Sequence, residues 1–359
     1  MHLRVADTER LLELARDYMP RYGSNVKKLV LVWWTVDDLS QLSNRINMPS
    51  NSRVEALEAS ERLTGLNALP DQPLQRVFDV NDALIATILQ ACANFRHFKI
   101  VDRRTTRSFM GKEGSTILIS SSRTESALQE LGGRISSADF SSADSFFGHD
   151  AVNASKYLHI FANIKHLSAR MDAKPSALDM PNLFLKISRL PKLVSLELDK
   201  ANFSAMDSFS AQPCSNLSQL ILSGMPSLQL EQLTAILKVH PITSLCLRDL
   251  SISSFWYPFS TSRPGNLEVE NLSIAGRTDD KLLGLFDAAP LKHVEICARR
   301  GGKNSARFSS QGIKAFIKKH SASLLTFKAD RLFFDAAEVL AINRSLEQEG
   351  VSVRVVTVE

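Results

Sequence analysis

An apolar residue followed by apolar residues three and five positions later recurs along most of this 359-residue chain. The clearest instances are Leu193, Leu196 and Leu198; Leu217, Leu220 and Leu222; Ile242, Leu245 and Leu247; Val269, Leu272 and Ile274; and Leu291, Val294 and Ile296. Upstream, Val26, Leu29 and Leu31, then Phe95, Phe98 and Ile100, then Ile164, Leu167 and Ala169 repeat the scheme with bulkier or smaller side chains. Val54, Leu57 and Ala59 match it more weakly, and Leu324, Phe327, Ala329 and Val353, Val356, Val358 close the series. Successive starts are 28, 41, 69, 29, 24, 25, 27, 22, 33 and 29 residues apart. Such a period constrains the fold more than any single motif, because every unit has to build the same supersecondary element. The gaps of 41 and 69 imply insertions or units that the pattern does not expose.

Helical periods lie between the strands. Asp82 to Ala93 places Leu84, Ile85, Ile88 and Leu89 on one face, with Asn81 or Asp82 as its N-cap. Leu230, Leu233, Ile236 and Leu237 do the same before Pro241, and "DDKLLGLFDAAP", "SSQGIKAFIKKH" and "DAAEVLAINRSLEQEG" follow suit, the last closed by Gly350. A strand with one apolar edge and a helix with one apolar stripe cannot bury both faces alone, but parallel stacking merges them into a continuous core. The predicted fold is therefore α/β: a leucine-rich-repeat-like solenoid of irregular repeats, with a parallel inner sheet and outer helices. A doubly wound α/β domain would show continuous apolar strands, whereas polar residues interrupt almost every strand here.

Along the chain this gives an N-terminal helical cap at 1–25, irregular first repeats at 26–102, a serine-rich insertion at 103–150 and repeats with a C-terminal strand at 151–359, in one continuous solenoid domain. The cap turns Leu11, Leu12, Leu14, Ala15 and Tyr18 to one side; within the insertion "TESALQELGG" reads as a helix ended by Gly132, with Phe146 and Phe147 as anchors. The terminal "VSVRVVTVE" is a strand whose open edge invites association. Composition supports a sizeable core, at 44% hydrophobic and 23% charged residues. The 43 basic and 38 acidic residues are interspersed, a weak case for nucleic acid or membrane as partner. Cys92, Cys214, Cys246 and Cys297 lack C-x-x-C spacing, which argues against a zinc site and for reduced thiols in a cytoplasmic or nuclear protein. No apolar run is long enough for a membrane span, and the N-terminus does not read as a signal peptide.

Searches for chemistry find no catalytic, cofactor-binding or metal-ligating residue. "GKEGST" and "RRGGKNS" both miss the phosphate-loop pattern, no metalloprotease, hydrolase or deaminase motif is present, and the histidines are scattered. The chain therefore reads as no enzyme, with an α/β enzyme of unrecognised site as one alternative. A second alternative is a structural RNA-associated protein using the basic loop "ARRGGKNSAR" at 298–307. What remains is surface: with the first, fourth and sixth positions inward, the third, fifth and seventh project from the concave sheet. His166, Arg170, Glu197, Asp199, Gln219, Ser244, Arg248, Asn271, His293 and Glu295 are the residues expected there to grip a protein ligand.

The opening "LRVADTERLLELARDYMPRYGSNVKKLVL", with "LPKLVSLELDKANF" and "CSNLSQLILSGM", resembles the repeat region of fungal F-box and leucine-rich-repeat proteins. That resemblance implies a substrate receptor of the Skp1, cullin and F-box ubiquitin ligases, in which an F-box docks Skp1 and the repeats bind a substrate. An F-box would stand before the repeats, and the first strand, at Val26, leaves too few residues for three helices. "LPDQPLQRVF" at 69–78 reads instead as a loop leading to the helix at Asp82.

Overall fold

The computed structural model describes residues 1–32, 38, 41–42, 50–66, 73–101, 108–110, 116–118, 122–140, 162–170, 185, 187–200, 209, 213–225, 228, 230–249, 267–276, 280–297, 309–331 and 334–358. They fall into two compact units, Met1–Lys174 and Pro175–Glu359. Each is an α/β solenoid in which parallel strands follow one another in chain order. Parallel neighbours need a crossover, and among the described residues helices supply it before the strands His97–Val101, Ser137–Phe140, Ser244–Arg248, His293–Cys297, Thr326–Asp330 and Val355–Val358.

The first unit opens with β1 (His2–Arg4) and then a helical stretch, α1 (Thr8–Glu13), a π-helical turn (Leu14–Tyr18) and α2 (Met19–Tyr22). Next come β2 (Lys28–Val32), α3 (Asn51–Thr64), α4 (Pro73–Ala91) and β3 (His97–Val101). An antiparallel pair, β4 (Ser108–Met110) and β5 (Thr116–Leu118), precedes α5 (Ser122–Leu131), β6 (Ser137–Phe140) and β7 (His166–Arg170). The sheet order is β1, β2, β3, β6, β7, with every pairing parallel.

Several expectations change here. The cap contains a strand as well as helix: β1 extends the sheet by pairing with β2, and Tyr18 is exposed, with Arg10 over its ring. Val54, Leu57 and Ala59 are helical, inside α3, because "RVEALEASERL" is dominated by strong helix formers. The stretch read as a loop before Asp82 is helix from Pro73 onward; proline suits the first helical position, where its missing N–H has no partner to lose. The 69-residue gap between Phe95 and Ile164 hides a complete unit, since α5 and β6 place Ile135 and Ala138 in the core.

The second unit runs β8 (Ser195–Asp199), β9 (Gln219–Ser223), α6 (Leu230–Val239), β10 (Ser244–Arg248), β11 (Asn271–Ala275), α7 (Asp280–Leu285), β12 (His293–Cys297), α8 (Ser310–Lys319), β13 (Thr326–Asp330), α9 (Ala336–Gln348) and β14 (Val355–Val358). The strands pair in parallel, in that order. From Leu193 to Ala329 every predicted inward triad is buried. The last strand is shifted by one residue: Val355, opposite Phe327, is buried, while Val356 is exposed. A single-residue slip exchanges the two faces of a strand, and a sequence of alternating valines does not choose between them.

Two backbone devices lock successive repeats. At the strand entrances from β2 to β7 and from β8 to β13 the carbonyl of the second position accepts two N–H groups of the next repeat; the carbonyl of Val194 takes those of Ser218 and Gln219, both at 3.0 Å, and that of Ser218 takes those of Thr243 and Ser244, both at 2.9 Å. At the strand exits Lys200, Gly224, Asp249 and Gly276 all adopt positive φ. Their N–H groups donate to the carbonyls of Ser223, Arg248, Ala275 and Cys297 at 2.7–3.2 Å, one turn stacked on the next. At the chain end, the Asn343 amide donates to the Val355 carbonyl at 3.1 Å and accepts its N–H at 2.8 Å, blunting the edge of β14.

Candidate functional site

The alternation of the strands decides which side chains are available for function. In the second unit the parallel register lines up Ser195, Gln219, Ser244, Asn271, His293 and Thr326 in one row across β8 to β13. The next row holds Glu197, Ile221, Cys246, Ser273, Glu295 and Lys328. Gln219, Arg248 and His293 are exposed; Glu197, Asp199, Ser244, Asn271 and Glu295 are half-buried. Eight of the ten expected residues thus share one sheet face. His166, which is exposed, and Arg170 lie on β7 of the first unit, and the Arg170 side chain is outside the described residues.

A shallow groove of about 220 Å³ crosses this face over β10 to β13, lined by Ser244, Cys246, Asn271, Ser273, His293, Glu295, Thr326 and Lys328. Its β10 and β11 side carries the smaller Ser244, Cys246, Asn271 and Ser273, beside the longer His293 and Glu295 of β12 and Lys328 of β13. Thr326 and Lys328 were not expected in the site. Their signal is the triad Leu324, Phe327, Ala329, which marks β13 as one more strand of the same face rather than a terminal cover.

The chemistry offered is that of hydrogen bonding. His293 Nδ1 and Thr326 Oγ1 are hydrogen-bonded at 2.8 Å, yet among the described residues no carboxylate bonds the histidine to orient it as a base. Burial, followed by the nearby Glu295 carboxylate, pushes the Cys297 thiol up to about 11, so it is not a primed nucleophile. Cys92 and Cys214 are likewise pushed up by burial, to about 11 and about 12. His240 has both nitrogens engaged: the Cys214 N–H donates to Nδ1 at 3.0 Å, which leaves Nε2–H to donate to the Phe209 carbonyl at 3.1 Å. It is stacked on Phe209 and serves the core. Among the described residues no cluster of three or more His, Cys, Asp or Glu could hold a metal ion, and no helix is long and apolar enough to cross a membrane. The phosphate-loop-like segments at 111–115 and 299–305, Phe146 and Phe147, and the basic loop at 298–307 lie outside the described residues.

No family model matches the chain, and no curated protein matches it. Among solved structures, the chain is similar to one in the crystal structure of the Rad7 and Elc1 complex in yeast, with a TM-score of 0.38 and 12% identity over 92% of this chain and 89% of that one.

Proposed function

We infer that this protein is a noncatalytic recognition module of the leucine-rich-repeat type, which holds a polypeptide segment on the open sheet face of its second unit. The observation that supports this most is the row from Ser195 to Thr326. Six successive strands place there a side chain able to donate or accept a hydrogen bond, Ser195 buried and the other five exposed or half-buried, and none of the six carries a fixed charge. The inward triads suffice to build the repeat, so Gln219, Ser244 and Asn271 of this outward row are left to serve a ligand, with the bonded His293 and Thr326 pair at its end. Glu295 and Lys328 stand beside the row in the same groove and add charge selectivity at its rim.

Affinity capture from cell lysate, comparing the intact protein with an Arg248→Glu, Lys328→Glu variant of unchanged circular dichroism, tests the reading. Partners retained by the first and lost by the second support it; identical partner sets overturn it. The finer form, a substrate-receptor-like role in a ubiquitin ligase of the Skp1, cullin and F-box type, draws on the sequence resemblance. Purification with a Skp1 homologue tests it separately, and no association removes the ligase role while leaving recognition intact.

A further inference from the structure

The strand entrances of the first unit form a second surface, which the groove reading leaves unused. Here the second positions are Lys27, Arg96, Ser136 and Lys165, stacked by the same carbonyl ladder. The Lys27 carbonyl takes the N–H groups of Arg96 and His97 at 3.0 Å, and the Arg96 carbonyl those of Ser136 and Ser137 at 2.9 and 3.2 Å. The Ser136 carbonyl takes those of Lys165 and His166 at 2.8 and 3.2 Å. Lys28, His97 and His166 occupy the neighbouring row, and every one of these basic side chains is exposed. Arg134, also exposed, donates to the Ala93 carbonyl at 3.2 Å, while Arg96 donates to the Arg134 carbonyl at 3.3 Å. Lys27, Lys28, Arg96, Arg134 and Lys165 therefore stand on one strip, and none of them ion-pairs with an acidic residue among the described residues.

Neither the repeat nor the composition requires this. In the second unit the second positions are Val194, Ser218, Thr243, Glu270, Lys292 and Leu325, and the lone cation, Lys292, is neutralised by Glu270 at 2.7 Å. The first unit as a whole has 22 basic and 20 acidic residues, so the strip is a local segregation of charge. Like charges facing each other across strands destabilise a sheet, a cost that a bound anion removes.

We propose that this basic strip docks an acidic polypeptide segment. This rests on the recognition reading and adds the charge class of one stretch of the partner. Three interstrand steps span about 14 Å, the reach of four or five extended residues. The Arg96 and Arg134 guanidiniums, tied to the backbone, present forks that match carboxylates. Single-stranded nucleic acid is the less fitting anion, because it is held by stacking on exposed aromatic rings as well as by charge, and the phenylalanines at these entrances, Phe95 and Phe98, are buried.

The test uses the full chain with two fluorescent probes, a ten-residue alternating Glu–Ser peptide and a ten-nucleotide single strand, read by anisotropy at low and high salt. The peptide is expected to bind, to weaken on raising salt, and to lose at least about tenfold in affinity in the variant Lys27→Ser, Lys28→Ser, Lys165→Ser. Its melting temperature should equal or slightly exceed that of the parent, since no side-chain bond is removed and like-charge repulsion is relieved. Absence of peptide binding at low salt, unchanged affinity in a folded variant, or preferential binding of the nucleotide strand each overturns the proposal. Peptide binding that stays intact in the second-unit variant, whose captured partners are lost, supports the strip as a separate site; failure of the peptide with capture intact removes the strip alone.

Discussion

Asp82 reads along the chain as the start of its own helix, and the fold uses it for a neighbour instead. It is buried in the middle of α4, where its carboxylate accepts the N–H groups of Arg123 at 2.9 Å and Thr124 at 3.0 Å, in the first turn of α5. A carboxylate at that end also meets the positive end of the helix dipole. Asp82→Ala leaves the Thr124 N–H buried without that partner and is expected to cost about 2–3 kcal/mol, measured by urea unfolding against the parent. The buried His240 gives a pH dependence of defined sign. Burial lowers its folded-state pKa from the ordinary 6.5, so the unfolded chain takes up the proton first. Its stabilising contribution is complete above pH 6.5 and is lost as pH falls below that value. The melting temperature should therefore drop between pH 7.5 and pH 5. His240→Gln should melt lower at pH 7.5 and lose less on acidification; parallel profiles would exclude His240 as the cause. His320, also buried with its pKa lowered first by burial, keeps a residual slope of the same sign.

Strand positions were readable because their triads are buried on one side only, and a period of two leaves a clear trace in composition. Two connecting devices escaped notice because each is spread over different residue types. One is a side-chain ladder just ahead of the strands. Asn94 donates to the Ser24 carbonyl, Asn163 to that of Gly133 and Asn216 to that of Pro191, each at 2.7 Å, while Arg134 takes the same place toward Ala93. The phrases "ANF", "ANI" and "SNL" carry that signal, and the arginine breaks it at the repeat of β6. The other device is the left-handed turn after the strands, which two glycines share with a lysine and an aspartate. Gly276, at φ 122°, is the least replaceable: a Cβ there would lie 3.1 Å from the Asp249 backbone. Gly276→Ala should destabilise by about 1–3 kcal/mol in denaturant unfolding; an unchanged midpoint would show that the turn can relax.

In a solenoid each repeat is held by its neighbours, so protection should fall toward a free end. Within the second unit, amide hydrogen exchange is expected to be slowest in β10 and β11, which are paired on both sides, and fastest in β14, which pairs with β13 alone. Uniform exchange along the strands would show that the unit opens only as a whole. The alternation of apolar and polar residues dictated that parallel strands and crossover helices would stack, and which side chains would point away from the core, because burying one face of a strand imposes a period that no long-range contact is needed to create. Three things depended on contacts far apart in sequence: the identity of β6 as a repeat, the one-residue register of β14, and the gathering of Lys27, Arg96, Arg134 and Lys165 into one strip. Each is a question of which residues stand opposite one another across strands, and a local pattern is silent on that until the pairing is made.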